Sequence, residues 1–213
     1  NLTISSTDLE TTMTTSIKVD ASEEISVAVP SKTTIELLKQ LPDQPLAFSI
    51  NLEKGSMEIK YGTGKFKLTV QNGDEFPKNP EVDSDQSFTI PSRVLQKAIT
   101  KTVFASSNDE LRLNLTGVYV QLFEKSITFV ATDANRLVRY TRTDVKPGVE
   151  ESFIMPKKAL NLLKNSLPAD LSEVKVNFNK SNAFFSFSDF SLICRLIDEK
   201  YPDYKAVIPV ENP

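Results

Sequence analysis

The residue types that most enzymes use for catalysis are scarce in this sequence. There is no histidine, which excludes a Ser-His-Asp or Cys-His catalytic device and any histidine-ligated metal. The single cysteine, Cys194, follows Leu192 and Ile193 in an apolar alternation, which indicates a buried thiol rather than a nucleophile. We therefore predict no catalytic residue, no metal site and no cofactor.

Two aspartates occupy equivalent places in a repeated pair, Thr7-Asp8 and Thr132-Asp133. Neither has a second acid or a base marked out to act with it in general acid-base chemistry. Aspartate side chains accept hydrogen bonds from backbone amides a few residues further on, so we predict that both fix turns. Gly62-Thr63-Gly64 lacks the context of a phosphate-binding loop and predicts a hairpin turn.

Positive charge, by contrast, is concentrated. Residues 31–41, 92–102 and 157–166 contain eight of the 25 Lys and Arg residues but only one of the 28 acids, Glu36, in a chain of net charge −3. Like charges four residues apart disfavour a helix, and a bound polyanion would offset that cost. Long Lys and Arg side chains without a base-reading element contact phosphates. We predict sequence-independent contact with DNA, with a merely solvated helix face as the alternative.

Each basic segment is predicted to be a helix, over residues 31–41, 92–104 and 157–166. A proline opens each one, and proline just inside a helix gives up only an amide that would lack a partner. In the second helix, the cations recur every fourth residue on one face, while apolar residues on the opposite face are predicted to pack on a sheet. The cations are Arg93, Lys97 and Lys101, and the apolar residues are Val94, Leu95, Ala98 and Ile99.

Period-two alternation between these helices predicts strands joined by turns. The sequence between successive prolines that open helices is therefore predicted to contain one short helix and about four strands. The polar residues 78–87 are predicted to be a linker. The predicted strands are 1–6, 10–19, 25–29, 46–53, 56–62, 64–71, 86–90, 117–123, 125–132, 136–143, 150–154, 172–178, 182–188 and 190–198.

Three landmarks recur at almost one offset, which predicts a duplicated domain. Thr7-Asp8 recurs as Thr132-Asp133, Phe76-Pro77 as Tyr201-Pro202, and Pro30 through Pro42 as Pro156 through Pro168, at offsets of 125, 125 and 126. By the same repeat, copies of the helix opened by a proline that precede Pro30 or follow Pro156 would fall outside the chain. We therefore expect a middle part of a longer repeat protein, with two domains of which the first is incomplete.

Composition sets few further limits. A hydrophobic content of 39% with 13 Phe residues is enough to fill real cores. No apolar run approaches the roughly 18 residues that a membrane span needs. One cysteine fits a reducing compartment, and we expect a cytoplasmic protein.

Several motifs follow one another in a distinctive order: Leu2 to Glu10, the helix opened by Val29-Pro30, Glu75-Phe76-Pro77, Leu115 to Val118, Phe129 to Leu137, and Tyr201-Pro202-Asp203-Tyr204. In this order they resemble the landmarks of the bacterial replicative sliding clamp family, the beta subunit of DNA polymerase III. The resemblance covers the whole chain. It implies that residues 1–84 correspond to the latter part of the clamp's first domain and residues 85–213 to its second, with the third domain absent.

The resemblance implies an α+β clamp fold, in which short helices line an inner face and antiparallel sheets form the outside. It also implies a function without catalysis. In that family, two three-domain subunits form a homodimeric ring around double-stranded DNA and tether the polymerase as a processivity factor. The implied protein partners are DNA polymerase III, the clamp loader, and other replication and repair proteins that dock through short peptide motifs.

The resemblance also implies two sets of site residues. Its DNA-facing positions match Lys32, Lys39, Arg112, Lys157 and Lys158, to which the charge argument adds Arg93, Lys97, Lys101 and Lys164. Its partner-peptide cleft matches Leu115, Thr132, Ala134, Asn135, Arg136, Leu137, Pro202, Ala206 and Val207. The apolar members could hold a Leu or Phe anchor, with Arg136 and Thr132 as donors at the rim. The sequence departs at Asn135, where the family often has His, and at Ala206, where some members have Arg.

From the residues alone, two other classes stay open. A repeat-built, non-catalytic binding or adhesin module would carry the same duplication, with its basic helices as solvated faces. A carboxylate-based hydrolase is a more distant alternative because no acid pair is marked out. An antiparallel shell with helices on one side would favour the clamp over the adhesin module.

Overall fold

A computed structural model describes residues 1–80 and 86–209 of the chain. It separates into two compact units, one formed by Asn1–Val19 with Asn79–Pro213 and the other by Asp20–Lys78. The predicted domain boundary between residues 84 and 85, and much of the linker predicted at 78–87, lie outside the described residues.

Three helices alternate with runs of strands, as the repeat predicts. In chain order the elements are β1 (Leu2–Thr7), β2 (Thr11–Ile17), β3 (Val27–Ala28), α1 (Ser31–Gln40), β4 (Leu46–Asn51), β5 (Ser56–Tyr61), β6 (Gly64–Thr69), β7 (Gln71–Asn72), β8 (Gln86–Pro91), α2 (Ser92–Thr102), β9 (Gly117–Phe123), β10 (Ser126–Thr132), β11 (Leu137–Arg142), β12 (Glu151–Pro156), α3 (Lys157–Ser166), β13 (Glu173–Phe178), β14 (Asn182–Phe187) and β15 (Phe190–Arg195).

The larger unit packs two antiparallel sheets and two helices around one core. One sheet has the order β1-β2-β15-β14-β13-β8, and the other has the order β11-β10-β9-β12. Residues with no more than 1% exposure in this core include Ile99 on α2, Leu163 on α3, Phe129 on β10 and Leu192 on β15. The two sheets and the apolar faces of α2 and α3 therefore exclude water together.

The predicted amphipathic character of α2 is confirmed. Leu95, Ala98 and Ile99 are at most 3% exposed, and Val94 packs partly buried against the same core. The helix turns its three cations to solvent on the other side.

Helices α2 and α3 lie side by side and run in opposite directions. Near the start of α2, the Arg93 amide donates to the Asp170 carbonyl beyond the end of α3 at 3.0 Å. The Gln96 side-chain amide donates to the carbonyl of Lys164, in the last turn of α3, at 3.1 Å. Just beyond the end of α2, the carbonyl of Ser106 accepts from Lys157, the first residue of α3, at 3.3 Å.

The smaller unit has its own sheet, β4-β5-β6, and the short pair β3-β7. Its core contains Met57, Ile59, Leu68 and Val70, with Leu37 of α1 packed partly buried against them. The predicted hairpin turn is confirmed: Gly62 has φ +50 between β5 and β6, a backbone conformation that glycine adopts readily.

Three details differ from the sequence predictions. Pro30, Pro91 and Pro156 precede the helices as their N-caps, because their ψ angles of 104 to 139° are extended. The end predicted for α2 is a separate 3-10 turn, Val103–Ala105. The 3-10 turns Leu113–Leu115 and Tyr204–Val207 and the two-residue strand β7 are too short to give a periodic signal.

Candidate nucleic-acid interface and partner cleft

The exposed face of α2 carries the clearest part of the predicted nucleic-acid interface. Arg93, Lys97 and Lys101 are all exposed, and none forms an ion pair with an acid among the described residues. Lys101 lies in the last turn, where the helix dipole favours a cation. Three unneutralised charges on successive turns can therefore contact a polyanion.

Helix α3 adds three more cations to the same antiparallel pair. The ammonium group of Lys157 donates to Asn108 Oδ1 at 2.8 Å and to the Ser106 carbonyl, and that of Lys164 lies 3.4 Å from Asn161 Oδ1. These partners are neutral oxygens. The net charge of Lys157 and Lys164 is therefore retained, although hydrogen bonds restrict the side chain of Lys157.

Two predicted DNA contacts are paired with acids. Lys158 Nζ lies 2.5 Å from Asp8 Oδ2, and Arg112 Nε donates to Asp109 Oδ2 at 2.9 Å. The Lys158 hydrogen bond is the main reason that the pKa of Asp8 is lowered, and the Arg112 hydrogen bond has the same effect on Asp109. A phosphate must compete with these carboxylates, so both cations are weaker candidates than those of α2.

The smaller unit carries the two remaining predicted contacts, Lys32 and Lys39 of α1. Both are exposed, and neither forms an ion pair within the described part of the chain. Lys39 lies in the last turn of its helix, again favoured by the dipole.

The centre of the predicted cleft is a tight turn between β10 and β11. Asp133 Oδ1 accepts from the amides of Asn135 and Arg136, both at 3.0 Å, which confirms the predicted turn-fixing role. Ala134 has φ +76, an uncommon conformation for a residue with a side chain. The Arg136 and Asn135 amides hold the pKa of Asp133 below its usual value.

The hydroxyl of Thr132 is used inside this turn. It donates to the Arg136 carbonyl at 2.7 Å and accepts from the Ala134 amide at 3.1 Å. The prediction that Thr132 offers a donor to a ligand is therefore wrong, because its hydrogen already has an internal acceptor. The donor role at this rim is left to Arg136, whose side chain is 58% exposed.

An aromatic cluster joins the turn to the segment that follows β15. Leu137 packs partly buried against a cluster formed by Val130, Ile154, Tyr201 and Tyr204. The Tyr204 hydroxyl donates to Gln121 Oε1 at 2.7 Å, and burial is the main cause of the raised pKa of both tyrosines. The two halves of the predicted cleft therefore meet at this cluster.

The other predicted cleft residues differ in the surface that they offer. Ala134, Asn135, Pro202, Ala206 and Val207 are exposed, and Val207 has 69% of its surface open. Leu115 is only 7% exposed. Its neighbour Asn114 donates to the Lys200 carbonyl at 3.1 Å and so ties this 3-10 turn to the loop before Tyr201.

The sequence analysis missed Phe104, which lies beneath Arg136. The Arg136 guanidinium carbon is 5.7 Å from the centre of the Phe104 ring, a cation–π distance. The sequence gives no signal for this pair, because packing of α2 near β11 brings the residues together. The i, i+3 spacings of Asp109 with Arg112 and of Asp133 with Arg136 were readable signals for ion pairs.

The part of the chain that the structure describes contains neither a candidate metal site nor a candidate membrane span. In residues 1–80 and 86–209, no group of three His, Cys, Asp or Glu side chains is placed to hold a metal ion. No helix in that part of the chain is long and apolar enough to cross a membrane.

Two family profiles match the chain. Residues 89–203 match the DNA polymerase III beta subunit, central domain, and residues 1–80 match the DNA polymerase III beta subunit, N-terminal domain.

Among curated relatives, the Beta sliding clamp of Halalkalibacterium halodurans is 30% identical over 91% of this chain and 51% of its own length. That of Pseudomonas aeruginosa is 27% identical over 98% of this chain and 57% of its own length. The chain thus spans about half the length of the curated relatives it matches.

Solved structures show the same fold. The DNA polymerase III beta subunit from Thermotoga maritima is 28% identical with a TM-score of 0.88, covering 98% of this chain and 56% of that one. The DNA polymerase sliding clamp from Pseudomonas aeruginosa, solved with ligand, is 26% identical with a TM-score of 0.89, covering 97% and 57%. The predicted clamp fold is confirmed, and the chain belongs to the DNA polymerase III beta subunit family.

Proposed function

We propose that this chain is part of a DNA sliding clamp subunit, a non-enzymatic processivity factor that encircles double-stranded DNA and docks DNA polymerase III. The observation that carries the proposal is the antiparallel pair of α2 and α3, two helices that contain six Lys and Arg residues and no Asp or Glu. Family membership supports it, as does the name of the curated relatives. The proposal includes a cytoplasmic location and no cofactor.

The DNA contacts are to phosphates, without sequence preference. Arg93, Lys97 and Lys101 contribute most because their charges are exposed and unneutralised, and Lys32, Lys39, Lys157 and Lys164 add to them. Arg112 and Lys158 contribute only where a phosphate displaces Asp109 or Asp8. Lys and Arg on a helix surface position a duplex and carry no base-specific information.

The cleft is proposed to hold short peptide motifs of DNA polymerase III, the clamp loader, and other replication and repair proteins. Leu137 and Val207 supply apolar surface for a Leu or Phe anchor, beside Pro202, Ala206, Ala134 and Asn135. Arg136 supplies hydrogen-bond donors at the rim. An apolar pocket with a few placed polar groups is the usual form of such a site.

We further propose that the full-length protein forms a homodimeric ring, with the domain division at 84/85. The family profiles, at residues 1–80 and 89–203, support that division. By the internal repeat, β2 is equivalent to β11 and β15 to β6. Strand β2 pairs with β15, whereas β11 and β6 each lie at an open end of their sheets. An open edge strand can pair with another strand. A further repeat could therefore pair with β11 and with β6 in the way that β2 pairs with β15.

Duplex binding tests the proposal directly. Fluorescence anisotropy would compare two DNA duplexes of equal length and unrelated sequence over a range of salt concentrations. We expect equal, weak affinities and a log-log salt slope of magnitude about 3 or more, since each phosphate contact contributes about 0.9. An absence of binding at low salt, or a clear preference for one sequence, would contradict the proposal and favour a repeat-built module of another kind.

A further inference from the structure

Phe104 is a large apolar side chain held half in water. It is 52% exposed, although its neighbours Val103 and Ala105 are at most 6% exposed. The 3-10 turn that carries it is fixed on both sides. Thr102 Oγ1 donates to the Ala98 carbonyl at 2.8 Å, and Ser106 Oγ donates to the Val103 carbonyl at 2.7 Å. The direction in which the ring projects is therefore set by buried, hydrogen-bonded neighbours.

The Arg136 guanidinium is held between this ring and a carboxylate. Its carbon lies 5.7 Å from the centre of the Phe104 ring, and its Nε donates to Asp133 Oδ2 at 2.9 Å. Asp133 is itself fixed, since its other oxygen accepts from two backbone amides. No hydrogen bond from Nη1 or Nη2 of Arg136 is found among the described residues. Ring and carboxylate together leave those two nitrogens available.

We propose that Phe104 is a positioning residue of the peptide cleft, an inference that rests on the proposed function of that cleft. Its ring and Asp133 hold Arg136 so that Nη1 and Nη2 donate to a backbone carbonyl of the bound peptide, next to the anchor at Leu137. Asp133 already balances the charge of Arg136. The two free nitrogens therefore need a neutral acceptor such as a backbone carbonyl, whereas an unpaired arginine would favour a carboxylate. An oriented guanidinium loses less side-chain freedom on binding than a mobile one.

The variants Phe104→Leu and Phe104→Tyr separate the effect of the aromatic ring from the effect of a large apolar side chain. Leucine keeps an apolar side chain without a π face, and tyrosine keeps the aromatic ring. Phe123→Leu is the matched control, because Phe123 is 37% exposed at the end of β9. The probe is a synthetic acetylated and amidated peptide ending in Leu-Phe, titrated by NMR into the full chain.

We expect Phe104→Leu to weaken peptide binding about two- to fivefold, the size of an exposed cation–π contact. Phe104→Tyr should bind the peptide as tightly as the wild type does, and Phe123→Leu should leave the affinity unchanged. Unchanged affinity in Phe104→Leu, with wild-type binding intact, would overturn the proposal.

A second readout needs no peptide. Because Arg136 lies over an aromatic face, its side-chain NMR signals should carry a ring-current shift that Phe104→Leu removes and Phe104→Tyr keeps. If the wild-type chain binds no peptide, the cleft assignment fails. The Arg136 shift then still decides whether Phe104 positions Arg136, and a shift unchanged in Phe104→Leu would overturn the inference.

Discussion

Leu9 and Ala134 have almost the same left-handed backbone conformation, with φ of +74 and +76, at equivalent positions 125 residues apart. The turns around them share their hydrogen bonds. Thr7 and Thr132 each donate to the carbonyl four residues on, and Asp8 and Asp133 each accept from two backbone amides. The duplication is therefore preserved at the level of single hydrogen bonds.

The two copies of this turn differ in what their aspartates pair with. Asp133 pairs with Arg136 of its own turn, whereas the equivalent of Arg136 in the first copy is Thr11, and Asp8 pairs with Lys158 of α3. The backbone role is common to both copies. The second carboxylate oxygen, Oδ2, pairs with a different cation in each copy.

The shared turn predicts a pH-dependent contribution from Asp133. The amides of Arg136 and Asn135 lower its pKa in the folded state, so the stabilisation is complete above the usual value of 3.8 and is lost as pH falls through the lower folded-state value. A carbon-detected NMR titration of the Asp133 carboxyl should give a midpoint below 3.8. A midpoint at or above that value would show that the two amides do not stabilise the charged form.

The packing of α3 predicts opposite outcomes for two adjacent leucines. Leu163 is fully buried and Leu162 is 37% exposed. Leu163→Ala should lower the free energy of unfolding by about 2 to 5 kcal/mol because it leaves a cavity. Leu162→Ala should stay within about 1 kcal/mol. Urea unfolding would measure both, and equal losses would mean that the helix is rotated relative to this structure.

Burial of Cys194 predicts an unreactive thiol. The side chain is fully buried, and burial raises its pKa to about 12. Burial favours the neutral thiol in the folded state. Its contribution to the free energy of unfolding is therefore complete below the usual thiol pKa of 9.0 and is lost as pH rises through the folded-state pKa. A thiol reagent should not label the native chain at neutral pH but should label it fully in urea. Rapid native labelling would contradict the buried position.

The cleft predicts where a peptide should bind. Titration with the Leu-Phe peptide should perturb amide signals of residues 132–137 and 202–207. Leu137→Asp should abolish these changes because a charge replaces the anchor surface. Leu171→Asp is the control, since Leu171 is 68% exposed beyond α3. Perturbations that gather on α2 and α3, or that survive Leu137→Asp, would show that the cleft is misplaced.

The strands and helices could be predicted because their signals are local. Alternation along β13 and the spacing of Arg93, Lys97 and Lys101 are readable from the sequence alone. The Asp8–Lys158 pair could not be predicted, because it depends on the pairing of β2 with β15, two strands that are far apart in the sequence. The internal use of the Thr132 hydroxyl also escaped the sequence, because residue type does not reveal which acceptor a hydroxyl finds.

The contact of Phe104 with Arg136 shows the same limit at the candidate site. The sequence marked Arg136 through its motif but gave no reason to choose Phe104 among the 13 phenylalanines. Half-exposure of an aromatic ring and its distance to a guanidinium depend on how α2 meets β11. Such contacts follow from tertiary packing, which periodicity does not encode.

The central claim is that α2 presents phosphate contacts, and the salt dependence of duplex binding tests it most directly. The variant Arg93→Glu/Lys97→Glu/Lys101→Glu is compared with Lys125→Glu/Lys146→Glu/Lys175→Glu, which makes the same change in net charge at exposed positions outside the helices. The first variant should weaken binding and reduce the slope by about 2 to 3, and the second should keep the wild-type slope within about 1. Equal slopes in the two variants would contradict the claim, because the attraction would then depend on overall charge alone.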